Sequence, residues 1–100
     1  MDSIASPAAL QGVRVIEMGQ LIAGPFCGKT LGEFGADVIK IEAPETGDPL
    51  RNWRLIREGT SVWWQVQSRN KRSVALDLRQ TEGQTIARQL IAEADVLIEN

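Results

Sequence analysis

Two groups of residues in this chain have the types and spacing to do chemistry, and both point to an anion. Ala23-Gly-Pro-Phe-Cys-Gly-Lys-Thr30 carries Gly-Lys-Thr between a strand-like run and a helix-like stretch, which is the setting of a phosphate-cradling loop. The strict pattern wants glycine where Ala23 stands, Pro25 removes a backbone donor, and Phe26 and Cys27 add bulk. Lys29 therefore reads better as an exposed helix residue. Arg51, Arg54, Arg57, Arg69, Lys71, Arg72 and Arg79 crowd the middle third of a chain whose formal net charge is -2. A basic cluster on an acidic protein suits a small polyanion, and the acidic balance argues against a generic nucleic-acid binder. The competing reading is a solvated loop paired with Glu58 and Asp48. Arg79, the last of the group, has the planar fork that binds phosphate through two parallel hydrogen bonds. Asp77 beside it reads as a structural acid capping the next turn.

Other chemistries find no residues. One cysteine and no histidine exclude a disulfide framework and the usual zinc ligand sets, so no metal is expected. Without histidine there is no activated thiol pair, and Cys27 reads as a small buried helix residue. Trp53, Trp63 and Trp64 read as packing against a core or subunit interface rather than stacking on a ligand base.

The elements that must position these residues follow from hydrophobic period. Val13–Met18 is a β-branched, alternating strand. A turn at Gly19 leads to a helix with Pro25 at its first position, running to about Phe34, with Phe26, Cys27, Leu31 and Phe34 on its apolar face and Gly35 to stop it. Gly24, Gly28 and Gly32 form a stripe down one side. Each glycine costs roughly 1 kcal/mol relative to alanine, which close packing of Gly28 and Gly32 against the sheet or a second subunit offsets; Gly24 sits where backbone approaches a ligand. Asp37–Glu42 is the second strand. Ala43–Thr60 reads as a long irregular loop. Ser61–Gln67 is equally a helix turn or a strand. Ser73–Leu78 is the third strand, Thr81 caps a helix to about Ala94 with Ile86, Leu90, Ile91 and Ala94 inward, and Asp95–Glu99 is the fourth strand. Short apolar strands alternating with helices predict an α/β fold, a Rossmann-like parallel sheet of βαβ units. Ligands of such sheets bind beyond the carboxyl ends of the strands, here the loops after Met18, Glu42, Leu78 and Glu99.

The composition, 43% hydrophobic over 100 residues, is that of a soluble chain of at most one small domain. No apolar run approaches the roughly 20 residues that span a bilayer. The start, Met-Asp-Ser-Ile-Ala-Ser-Pro, has neither a basic n-region nor an apolar h-region, so no secretory signal is expected and the cytoplasm is the default. A domain does not normally close on the last residue of a buried strand, so residues 1–100 are expected to be the N-terminal part of a larger domain.

Four segments in register resemble the class III CoA-transferases, the CaiB/BaiF family. They are Leu10-Gln-Gly-Val-Arg-Val-Ile-Glu17, Ala23-Gly-Pro-Phe26, Leu31-Gly-Glu-Phe-Gly-Ala-Asp-Val-Ile-Lys-Ile-Glu42 and Asn70-Lys-Arg-Ser-Val-Ala-Leu-Asp-Leu-Arg79. Gly47-Asp48-Pro49 with Arg51 falls where the family has a similar turn, and Ala94-Asp-Val-Leu-Ile-Glu-Asn100 looks like the lead-in to a family loop. The resemblance implies that Ile22, Ala23, Ala43, Leu76, Leu78, Arg79 and Asn100 line a site for coenzyme A. The strand end at Leu76–Leu78 would meet the adenosine and Arg79 the phosphates. Ile22 stands where formyl-CoA transferases place a glutamine, and Ala43 where some members place an arginine; both departures argue against a formyl or oxalyl substrate, and the apolar Ile22 leans towards a bulkier or less polar acid.

The family chemistry implied is exchange of CoA between an acyl-CoA and a free carboxylic acid. An aspartate attacks the thioester, giving a mixed anhydride and CoA thiolate. The thiolate then attacks the enzyme carbonyl of that anhydride, releasing the first acid and leaving CoA on the aspartate as a thioester while the acids exchange. That aspartate and its glycine-rich oxyanion loop lie beyond Asn100 in the family. No catalytic residue is assigned here, and residues 1–100 alone are expected to be inactive. The resemblance also implies an interlocked homodimer, with no nucleic-acid or membrane partner. An acyl-CoA racemase of the same family stays open, as does a nucleotide binder through Ala23–Thr30.

Overall fold

The computed structural model describes residues 6–100. Residues 1–5, which enter the reading of the start as free of a secretory signal, lie outside the described residues. Four parallel strands form the main sheet: β1 (Arg14–Glu17), β2 (Asp37–Glu42), β5 (Lys71–Ala75) and β6 (Val96–Ile98), in the order β5-β2-β1-β6. A two-stranded antiparallel hairpin, β3 (Ile56–Arg57) and β4 (Thr60–Ser61), stands apart from it. The chain runs outward from β1 through β2 to β5 and then returns to the other side of β1. The order therefore reverses between β1 and β6, and the carboxyl ends of all four strands lie on one edge of the sheet.

Side chains alternate across each strand, so the sheet has two inner faces. Val15, Val38 and Ile98 pack on one with Ala36 and Leu31, beneath helix α1 (Ala23–Glu33). Ile16, Ile41 and Leu76 pack on the other with Ala87, Leu90 and Ile91 of helix α3 (Thr81–Ala92). The α/β architecture of a parallel sheet between helices is the one expected from the alternation of elements.

Helix α1 differs from its sequence reading in which face it buries. Its inner face is Gly24, Pro25, Gly28 and Gly32, whereas Phe26 and Phe34 are more than half exposed and Cys27 is exposed. The reason is proximity. A Cβ at Gly28 would collide with the Glu17 carboxylate, and one at Gly32 would come within 3.3 Å of Asn70 Cβ, so only a stripe without side chains can lie this close to the sheet. Hydrophobic period finds large apolar residues and overlooks a face made of glycine. Pro25 is the third helical residue, not the first, which costs nothing because the first four N–H groups of a helix have no partner within it. Gly35, at φ +103, ends the helix as expected.

Smaller differences have local causes. The third sheet strand is Lys71–Ala75, so Leu76, Asp77 and Leu78 belong to the loop that follows it. Helix α3 begins at Thr81 and its N-cap is the extended Gln80, with no side-chain cap; the Thr81 carbonyl accepts instead from the Thr85 hydroxyl. Gly83 and Ala87 take the inner face and Ile86 is turned outward, 44% exposed. The Ala43–Thr60 loop contains a 3-10 turn, Pro49–Asn52, and the β3 strand. Helix α2 (Val62–Gln67) resolves the ambiguous stretch, because the Ser61 hydroxyl accepts from Trp64 N–H at 3.2 Å and caps it. Trp53 and Trp63 pack edge to face at 5.4 Å between centroids. Among the described residues no helix is long and apolar enough to cross a membrane.

Gly83 fixes how near α3 comes to the loop before it. An added Cβ would run into the Asp77 carbonyl, with Asp77 C at 2.8 Å, and backbone cannot swing aside as a side chain can. Gly83→Ala is expected to destabilise the protein by about 1–3 kcal/mol through overpacking. A urea titration should show this as a lower midpoint with an unchanged m-value.

Candidate functional site

A cleft of about 580 Å³ opens at the carboxyl ends of β1, β2 and β5. Met18, Gln20, Ile41, Leu76 and Leu78 form part of its lining, the turn Ala43–Thr46 another part, and Asp77 and Arg79 contribute charge. Arg79 is among the most exposed side chains and holds Asp77 by its Nε at 3.1 Å and Nη2 at 3.3 Å, while its backbone N–H donates to the same carboxylate at 3.0 Å. Those contacts hold the Asp77 carboxyl below its ordinary value, and Asp77 in turn raises the Arg79 guanidinium. The third guanidinium nitrogen, Nη1, is not engaged by Asp77 and remains free to bind an anion.

Beneath the cleft lies a group of buried charges in the layer between sheet and α1. Glu17, Lys40 and Glu42 alternate in phase with Val15 and Val38, so they point to the α1 side of the sheet. Lys40, 1% exposed, donates to Glu17 Oε2 at 2.6 Å, to the Gly19 carbonyl at 2.9 Å, and pairs with Asp48 Oδ2 at 2.8 Å. Lys71 reaches the other Glu17 oxygen at 2.7 Å and the Pro25 carbonyl at 2.8 Å. Burial lowers the Lys71 ammonium from its ordinary value, opposed by the Glu17 carboxylate. Two carboxylates thus meet two ammonium groups, and the cluster is neutral as a whole.

Glu42 anchors the turn that walls the cleft. Its oxygens accept from Arg51 Nε and Nη2, both at 2.7 Å, from Asp48 N–H at 2.8 Å and from the Ser73 hydroxyl. Burial alone would raise the Glu42 carboxyl, but the Arg51 fork, the Ser73 hydroxyl and the Asp48 N–H outweigh it and hold the group at about 2. Arg51 also lies over the Trp64 ring at 3.9 Å, and Arg54 over Trp53 at 4.5 Å. The arginine loop is therefore neither free nor paired with Glu58: Arg51 is held by Glu42 and both arginines are stacked on tryptophan.

Of the residues expected at the site, Ala43, Leu76, Leu78 and Arg79 meet in the cleft. Ile22, Ala23 and Asn100 do not line it. Asn100 Oδ1 accepts from Gln20 N–H at 3.0 Å and its Nδ2 donates to the Gln20 carbonyl at 3.4 Å, while Ile22 is the N-cap of α1. Gln20 went unnoticed in the sequence, as did the buried charges; the loop after Glu42 and the Gly47-Asp48-Pro49 turn were expected, but not that Glu42 anchors them. The usable signal for the latter is charge in phase with core residues, Glu17 with Val15 and Lys40 with Val38. Gly-Lys-Thr, by contrast, lies within α1, where the Thr30 hydroxyl donates to the Phe26 carbonyl and half-buried Lys29 pairs with Glu33 at 3.3 Å. It forms no loop able to cradle a phosphate, which removes the nucleotide-binding alternative.

Residues 10–100 match the family described as CoA-transferase family III. The chain belongs to CoA-transferase family III. Over its whole length it is 48% identical to the succinyl-CoA--D-citramalate CoA-transferase of Chloroflexus aurantiacus, covering 25% of that protein. It is 39% identical over 92 residues to the human succinyl-CoA:glutarate CoA-transferase, with 91% of this chain and 21% of that one aligned. A CAIB/BAIF family protein from Brucella suis has the same fold, with a TM-score of 0.85 and 43% identity over 95% of this chain and 26% of its own. The family III chain thus spans about a quarter of the length of the relatives it matches. In this CoA-transferase family chain the cleft lies at the carboxyl ends of β1, β2 and β5.

Proposed function

We propose that these residues are the N-terminal, CoA-binding part of a cytoplasmic CoA-transferase that moves CoA between an acyl-CoA and a free carboxylic acid. The observation that carries the reading is the convergence of Ala43, Leu76, Leu78 and Arg79 on one cleft at the carboxyl ends of the strands. Leu76 and Leu78 offer apolar surface to the adenosine, and Arg79 a cation at the rim for its phosphates. The covalent step belongs to an aspartate outside these residues, as the family resemblance implies. Residues 10–100 contribute binding and orientation. Exposed Phe26, Phe34 and Leu97 are surface for the remainder of the domain and for a second subunit to cover, in keeping with a homodimer.

The names of the relatives narrow the substrate. Transferases named for succinyl-CoA with D-citramalate, L-malate or glutarate are among them, so succinyl-CoA is the proposed donor and a four- or five-carbon dicarboxylic acid the proposed acceptor. That class is more polar than the acid inferred from Ile22 alone.

CoA titrated into the protein that carries these residues should bind saturably, and Arg79→Ala should weaken it by about tenfold, the loss expected for one charge-assisted contact. Magnesium-ATP should give no comparable response. Absence of CoA binding by the unaltered protein would sink the proposal. Transfer is followed by chromatography of acyl-CoA products from succinyl-CoA and each dicarboxylic acid.

A further inference from the structure

The loop between β1 and α1 is bound at every step by side chains from elsewhere in the chain. Lys40 donates to the Gly19 carbonyl at 2.9 Å, Asn100 clasps both the N–H and the carbonyl of Gln20, and Asp48 Oδ1 accepts from Leu21 N–H at 3.0 Å. Leu21 stands at φ +64, a left-handed conformation that a residue with a branched side chain keeps only when its surroundings impose it. The imposing group is Asp48. Its Oδ1 also accepts from Leu50 N–H at 2.9 Å, and its Oδ2 meets Lys40 Nζ at 2.8 Å. Lys40 donates its two hydrogen bonds to the Gly19 carbonyl and to Glu17 Oε2 at 2.6 Å, and meets Asp48 as an ion pair.

We infer that Lys40 and Asp48 are positioning residues, a buried ion pair that joins the two loops walling the cleft and sets Gln20 at its mouth. This rests on the reading of that cleft as the CoA site. Asp48 lies on the β2 side, at the foot of the Glu42–Arg51 turn, and Leu21 on the β1 side, so one carboxylate spans both walls. A loop whose polar backbone groups are already bound has little freedom left to lose when a ligand arrives, and that is how preorganisation raises affinity. Glycine at positions 19 and 24 completes the device: their Cα atoms lie back to back, a Cβ on Gly19 being 2.7 Å from Gly24 Cα, which leaves room only for the Asn100 amide.

The test compares Asp48→Asn with Asp48→Ala in the full protein carrying these residues, each in conditions where circular dichroism shows it folded. Asparagine keeps an acceptor for Leu21 N–H but loses the charge that holds Lys40; alanine loses both. Amide hydrogen exchange at Leu21 should accelerate at least tenfold in the alanine variant and less in the asparagine variant. The CoA dissociation constant should rise in the same order, by about tenfold for alanine. A purely structural role would lower the melting temperature of both variants while leaving CoA affinity of the folded protein unchanged. That outcome, or wild-type CoA affinity alongside fast Leu21 exchange, overturns the inference. If Asp48→Ala does not fold, Asp48→Asn decides by the same two readouts. If the unaltered protein binds no CoA, the site reading falls, and unchanged Leu21 exchange in the variants would separately refute the clamp.

Discussion

Lys40→Met lowers the free energy of unfolding by about 3–5 kcal/mol, the cost of leaving buried charge without its partner. Methionine fits the volume, so the loss is electrostatic. Glu17 keeps Lys71, but Asp48 is left inside the protein with two N–H donors and no cation. The lower end of the range therefore applies to this site. Arg14→Ala is the matched control: its pair with Asp37 is 3.4 Å long, both side chains are about two-fifths exposed, and Arg72 also holds that aspartate. Removing it should cost less than 1 kcal/mol. Urea unfolding of the two variants beside the parent measures both. Equal losses would mean that the Lys40 cluster is as well hydrated as a surface pair, contrary to its burial.

Glu42 makes stability depend on acid. Its folded-state value of about 2 lies below its ordinary 4.5, so the folded protein holds the charged form more strongly than the unfolded chain does. The contribution is complete above about pH 4.5 and disappears as pH falls through about 2. The shift corresponds to about 2–3 kcal/mol once the partly exposed Arg51 fork is discounted for solvent screening. Glu42→Gln should cost about that much at pH 7. The difference from the parent should shrink steadily as pH falls towards 2, where protonation has removed the charge from about half of the folded parent molecules. Urea midpoints taken from pH 7 down to 2 test this. A gap that stays constant with pH would assign the loss to packing instead of to the Arg51 pair.

The placement of the site was legible in sequence to the extent that it depends on local pattern. Asp37–Glu42 is a strand from its first residue to its last as read, and the loops after Met18, Glu42 and Leu78 do meet at one end of the sheet. Such facts follow from alternation and chain order, which short stretches encode. Asp77 also caps its turn as read, because that contact spans two residues.

What escaped the sequence depends on distance between elements. Phe26 and Cys27 satisfy a helical apolar period, yet they face outward, because Gly28 must admit the Glu17 carboxylate from a strand eleven residues earlier. Glu42 and Arg51 are recognisable as charges; that they form a bidentate pair under a tryptophan is decided by the 3-10 turn that folds one onto the other. By itself the sequence determined an α/β chain of CoA-transferase family III whose strand-end loops meet at one edge of the sheet. Only the tertiary structure decided that Lys40 and Asp48 tie the cleft's two walls together. A buried charge is tolerable only where partners converge on it from several segments, and no spacing along one segment records that convergence.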